Sequence, residues 1–381
     1  MFRNSMKKIL FSATTLVAVI SLVLAGCSDD NDSEGAGSTD KPLIVVTTNI
    51  LGDVVTNMVG DSFDVETIMP PGSDPHDFQA SAQQVQTMME ADLLIVNGAN
   101  FEEGMLDVIE NAESDGVMIF EAISVVSQLE GSDDHGDHGG HDDHDDHDDH
   151  EGHDDHDDHE GHDDHDEEKD HDDHEGHDDH DDHEGHDDHD DHEGHDDHEG
   201  HDHGGIDPHF FTDPARMAVV AQELSEFLVA NFPDADQGFV VTANDYVRQL
   251  QDLDSEVEET LSVVSSSERL LVTNHAVFAY FADRYSFTVL GEIIPSSSTL
   301  ASASAQQLAS LAEEIKENQV KAIFADASSS DALAQTLANE VDGVEVINLY
   351  TESLGDPGSS GDSYIDMIRF NAEAIASALV E

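Results

Sequence analysis

Between Asp133 and Gly205 the chain carries no apolar side chain, being built from Asp, Glu, His and Gly with the single cation Lys169. Such a segment has nothing to bury, so no removal of apolar surface from water offsets an ordering entropy of roughly 1–2 kcal/mol per residue. It is expected to be disordered and to interrupt whatever folds around it. Of 381 residues, about 280 remain once this tract and an N-terminal leader are set aside, enough for two lobes with real cores.

Before the tract, strand patterns alternate with helical ones. Buried-strand runs at 42–48 (PLIVVTT), 62–69, 92–98 and 116–120 are separated by helix-like runs such as AQQVQTMMEA. After the tract, the amphipathic stretch 214–232 precedes a second alternation that begins at RLLVTN and ends in a terminal helix, YIDMIRFNAEAIASALV. Strand and helix in turn argue for parallel sheets with covering helices. Residues 242–264 have apolar spacing near 3.6 and no internal Gly or Pro, so a long helix there is expected to connect the two parts. The expected architecture is therefore α/β: two parallel-sheet lobes joined by a single long rigid helix. Its parts are a first lobe at 42–235 containing the loop 133–205, a linking segment at 236–265 and a second lobe at 266–381.

The first residues read as processing signals. Arg3, Lys7 and Lys8 precede an apolar run, and Leu24-Ala25-Gly26-Cys27 resembles a lipobox, so residues 1–26 are expected to be a lipoprotein signal peptide. The alternative is a membrane-spanning anchor, for which the apolar run is short. Cys27 is the only cysteine, which excludes disulfides within the chain and thiolate metal sites. Lipidated, it would anchor the mature protein to a membrane outside the cytoplasm, in the periplasm or at the cell surface, through a flexible stalk at 27–41 rich in Gly, Ser and Asp. Formal charge is −76, of which 38 acidic residues against Lys169 place about −37 in 133–203. Nucleic acid and anionic membrane surfaces are poor partners for such a chain. Outside the tract the acidity reads as solubility.

Of 26 histidines, 23 lie between His135 and His203, leaving His76, His209 and His275. His76 follows the second strand and His275 lies where a strand turns into a helix, positions at which parallel sheets bind ligands, while His209 lies at the tract's exit beside a Pro-stiffened turn. Two sit in Asp-Pro-His triplets, Asp74-Pro75-His76 and Asp207-Pro208-His209. Proline fixes its own φ and extends the residue before it, so each imidazole is presented from a stiff loop. Three neutral imidazoles and a carboxylate suit tetrahedral Zn²⁺. Asp326, at a strand end in the second half, is nominated as the carboxylate. Metal needs neutral imidazoles, so binding is expected to fall as pH drops through roughly 6.5.

These segments resemble the zinc-binding, ZnuA-like substrate-binding proteins of ATP-binding-cassette (ABC) importers. The resemblance lies in PPGSDPHDFQASAQQVQTMMEADLLIVNGANFE, DPHFFTDPARM, TNHAVFAYFADRYSF and AIFADASSSDALAQTLA, in that order, and in the acidic, His-rich loop before the second. It implies that His76, His209, His275 and Asp326 ligate the ion, and that a permease and its ATPase are the partners of a monomeric, non-enzymatic carrier. It also implies zinc over manganese, because the manganese-type relatives typically have Glu where His275 stands. Phe211 replaces a Trp common after the second ligand and a cysteine pair of some relatives is absent; neither departure removes a ligand.

In the tract, His135, His138, His141, His144, His147, His150, His153 and His156 begin a series recurring mostly every three residues among aspartates. Many weak, interchangeable sites favour collecting zinc over retaining it, so the tract is expected to be an accessory collector; a zinc-level sensor or a solvated spacer are the alternatives. Two other functions compete with import. One is a surface chelator or adhesin without a permease. The other is a zinc hydrolase with Asp326 as base, for which no nucleophile or oxyanion motif is evident.

Overall fold

The structure, a computed structural model, describes residues 41–131, 205–341 and 343–380. The leader, Cys27 and the stalk before residue 41, and the tract histidines, lie outside the described residues.

The first lobe runs β1 (Leu43–Val46), α1 (Asn49–Val59), β2 (Asp64–Thr67), α2 (Ala82–Met89), β3 (Leu93–Val96), α3 (Leu106–Ser114) and β4 (Met118–Glu121). Its four strands are all parallel, in the order β2-β1-β3-β4. After the tract come α4 (Pro214–Asn231) and α5 (Phe239–Leu261). The second lobe follows as β5 (Leu270–His275), α6 (Ala279–Tyr285), β6 (Thr288–Ile294), α7 (Ala305–Asn318), β7 (Ala322–Asp326), α8 (Ala332–Glu340), β8 (Glu345–Leu349) and α9 (Tyr364–Val380). It repeats the arrangement as β6-β5-β7-β8, again all parallel. In each sheet the strand order reverses between the first and third strands, which opens a crevice at their carboxyl ends.

Side-chain alternation along the strands divides the core. Ile44, Val46, Leu93 and Ile95 point to one face of the first sheet, and Val45, Leu94 and Val96 to the other. In the second sheet Leu271, Ala322 and Phe324 oppose Val272, Ile323 and Ala325. The outer faces are covered by α2 and α3 in one lobe and by α7 and α8 in the other. The inner faces merge into one apolar cluster through α1, α4, α5 and α9. Buried Tyr246, Val247, Leu250, Leu253, Val257 and Leu261 recur at helical spacing along α5, so its apolar stripe is shared by both lobes. The linking helix is thereby embedded in packed core, which gives the expected rigidity a physical basis.

The helix starts and ends three residues earlier than its apolar spacing predicts. Phe239 is buried and meets Phe63 edge-on at 5.3 Å, so a tertiary contact draws 239–241 into the helix. Beyond Leu261 the chain turns, with Val264 N–H donating to the Leu261 carbonyl.

Candidate metal centre

Both Asp-Pro-His triplets fold alike. The Asp74 carboxylate accepts the His76 backbone N–H at 2.9 Å, and the Asp207 carboxylate accepts that of His209 at 2.8 Å. This aspartate turn bridges residue i to i+2 across the proline, so the sequence itself closes the loop. His76 then projects from the loop after β2, and His209 opens a short 3-10 turn, Phe210–Thr212, that runs into α4. Asp213 caps α4 by accepting from Ala215 and Arg216 N–H, with Pro214 as first residue. His275 is the last residue of β5.

The three imidazoles converge, and the carboxylate they meet is Glu352, three residues beyond β8. Its Oε1 lies 2.8 Å from His76 Nε2, 3.3 Å from His209 Nε2 and 3.0 Å from His275 Nε2. Each of the four is at most 2 % exposed, and one ligand atom from each lies within 4.8 Å of the others. Two rings are held from behind: His76 Nδ1 by Glu103 at 2.9 Å and His209 Nδ1 by Asp207 at 2.8 Å. Carboxylates bound to the far nitrogen fix tautomer and ring orientation, as behind metal-bound histidines. Phe101 packs edge-on against His76 and His209 at 5.2 and 5.5 Å, and Phe211 packs against His209. Aromatic rings therefore cover one side of the imidazole group.

Asp326 does not join this group. It is buried at the end of β7, where its carboxylate accepts from Ser328 N–H and hydroxyl at 2.5 and 2.6 Å and from the Thr351 hydroxyl at 2.5 Å. It is thus one layer out, attached to the residue before Glu352. The rule that nominated Asp326, a carboxylate after a strand, applies equally to Glu352 after β8. In a chain so rich in acid, pattern could not choose between them, and only the approach of the two lobes does. Glu103 carried no sequence signal. It reaches His76 because Gly98, Ala99 and Asn100 all take positive φ, a sharp turn after β3. The turn folds buried Glu102 back onto Asn97 N–H and the Thr47 hydroxyl at 2.7 and 2.6 Å.

Charge follows geometry. Burial alone would lower the His76 pKa, but Glu352 and Glu103 outweigh it and push it up to about 10. His209 is likewise raised against burial by Asp207 and Glu352. Burial would raise Glu352, yet His275, His76 and His209 hold it well below the usual carboxylate range. Asp326 goes the other way, raised by burial and by the Glu352 charge. Glu352 Oε2 and His275 Nδ1 have no hydrogen-bond partner among the described residues, and His275 Nε2 faces Glu352 Oε1 at 3.0 Å without hydrogen-bond geometry. Buried polar atoms without partners are costly, and these belong to two of the four converging residues, as a donor set for a cation would require; Asn97 Oδ1 and the Tyr246 hydroxyl are also unpartnered among the described residues.

A family model described as zinc-uptake complex component A, periplasmic (ZnuA), matches residues 44–378. The manganese ABC transporter substrate-binding lipoprotein PsaA of Streptococcus anginosus is 23% identical over 383 residues, covering 98% of this chain and 99% of that protein. The manganese-binding lipoprotein MntA of Halalkalibacterium halodurans is 23% identical over 376 residues, with the same coverage. Among solved structures, the periplasmic zinc-binding protein TroA of Treponema pallidum is 22% identical with a TM-score of 0.65, over 90% of this chain and 100% of that one. The Mn-bound periplasmic metal-binding protein of Candidatus Liberibacter asiaticus is 17% identical with a TM-score of 0.64, over 89% and 100%. The shared two-lobed fold and the family match over nearly the whole chain after the stalk lead to one conclusion: the protein belongs to the ZnuA family, the metal-binding, non-enzymatic substrate-binding components of ABC transporters.

Proposed function

We propose that this chain captures Zn²⁺ outside the cytoplasm and delivers it to the permease and ATPase of an ABC importer, with His76, His209, His275 and Glu352 as ligands. The observation that carries this reading is the convergence of three buried imidazoles on one buried, ionised carboxylate. In the metal-free protein two raised imidazoles offset the Glu352 charge. A divalent ion supplies the same positive charge once those protons leave, so capture exchanges one form of charge balance for another. Three nitrogens and one oxygen suit zinc, whereas manganese favours oxygen donors and higher coordination. Manganese is the second reading, favoured by relatives described as manganese-binding. Competition titration with both ions on the wild type and on His275→Glu decides. Zinc should be preferred by the wild type and lose ground to manganese in the variant; a wild type that prefers manganese would overturn the assignment.

Lipidation at Cys27 is supported by relatives described as lipoproteins. No helix among the described residues is long and apolar enough to cross a membrane. The tract is an accessory collector in this reading. Its ends are pinned together by an antiparallel bridge of Glu130 with Ile206, by Gly131 N–H on the Gly205 carbonyl and by Asp207 N–H on the Leu129 carbonyl. The residues that flank the tract thus lie beside Asp207, whose carboxylate holds His209.

A further inference from the structure

One buried side chain joins the two ligand loops that come from opposite lobes. Asn49, the first residue of α1, donates through Nδ2 to the Pro70 carbonyl at 3.0 Å and to the Ser353 hydroxyl at 2.8 Å. Its Oδ1 accepts the Leu354 N–H at 2.8 Å. Gly72 completes the joint, its N–H lying 2.8 Å from Ser353 Oγ and 3.1 Å from the Leu354 carbonyl. Pro70 and Gly72 lead to His76, while Ser353 and Leu354 directly follow Glu352. The Glu352 segment therefore leaves the second lobe at β8 and is fastened to the first.

We propose that Asn49 is a positioning residue for metal capture: it anchors the Glu352 segment to the first lobe, so that His76, His209 and Glu352 are held as one unit. This rests on the ligand reading given above. The Asn49 side-chain hydrogen bonds among the described residues go to Pro70, Ser353 and Leu354 rather than to a ligand atom, so its effect passes through the segments it joins. Losing the amide frees the backbone on the Glu352 side of the site, where the carboxylate has no hydrogen bond at Oε2 to hold it. Residues that orient ligands typically change metal affinity about 10- to 100-fold. The loss should fall on dissociation, because the path into the site is unaltered.

The test uses the full chain, zinc alone as probe, and release into excess chelator. Asn49→Ala should speed zinc release about 10- to 100-fold with unchanged stoichiometry and far-UV circular dichroism. Ser353→Ala, which keeps the amide and removes one acceptor, should do the same more weakly and serves if Asn49→Ala fails to fold. A double-mutant cycle separates positioning from general loosening. In a Glu352→Gln background the Asn49→Ala effect should largely vanish, whereas in a His275→Ala background it should persist. Equal effects in both backgrounds, or wild-type release rates in both single variants, overturn the proposal. If Glu352→Gln alone leaves zinc affinity unchanged, the ligand reading itself fails, a separate result.

Discussion

Replacing Glu352 by Gln removes the charge on which three imidazoles converge while keeping shape and one oxygen donor. The size of the loss can be bounded from the geometry. A unit charge pair about 4 Å apart at an effective dielectric near 20 is worth about 4 kcal/mol, or roughly a thousandfold in affinity at about 1.4 kcal/mol per decade. A divalent ion closer to the carboxylate raises this, so a thousandfold is a floor. Asp326→Asn changes a carboxylate that meets Thr351 and Ser328 rather than the imidazoles, and outer partners cost about 10- to 100-fold. The variants should thus differ by at least about one decade, with Glu352→Gln the weaker binder. Competitive titration against a chelating dye near neutral pH measures both, with circular dichroism to confirm folding. If Asp326→Asn cost as much zinc affinity as Glu352→Gln, the reasoning that ranks the two carboxylates by distance from the histidines would be refuted.

Protonation provides two further tests. His76 and His209 are raised in the metal-free protein, so zinc must displace protons at neutral pH. Calorimetry in buffers of different ionisation heat should show release of at least about one proton per zinc, and none would contradict the charge exchange. The raised His76 contributes stability that is fully present below its unfolded value near 6.5 and is lost as pH rises through about 10. The depressed Glu352 contributes stability above its unfolded value near 4.5 that is lost as pH falls through its lower folded value. Metal-free protein should therefore lose the His76 contribution from about pH 6.5 upward while zinc binding tightens, so the zinc-induced rise in Tm should grow between about pH 6 and about pH 9; a rise that shrinks over that range counts against the assignment. Finally, a chain lacking 133–203 should keep one tight zinc site and lose only weak ones, since all four proposed ligands lie outside the tract. Titration calorimetry checks this, and loss of the tight site would show that the tract supplies a ligand.

Local chemistry made much of this protein readable from sequence. Apolar patterning located every strand of both sheets: a central strand such as β3 is buried on two faces and admits little but Val, Ile and Leu, whereas the edge strand β2 is mostly exposed. The absence of apolar residues from 133 to 205 set the tract apart, and its removal from the count left His76, His209 and His275 as candidates. Asp-Pro-His predicted a stiff loop, and the Asp74 and Asp207 turns supply one within three residues. What depends on distant segments was not readable. Asp326 and Glu352 both follow strands of the second sheet, and nothing within a few residues of either says which faces the first lobe. The choice is made by packing around α5 and by Asn49, more than 300 positions from Ser353, so it exists only when the lobes are assembled. The pH behaviour has the same origin. The ordinary histidine value near 6.5 belongs to an isolated imidazole, and the rise at His76 comes from Glu352 and Glu103, neighbours that tertiary structure alone provides and that outweigh the lowering effect of burial.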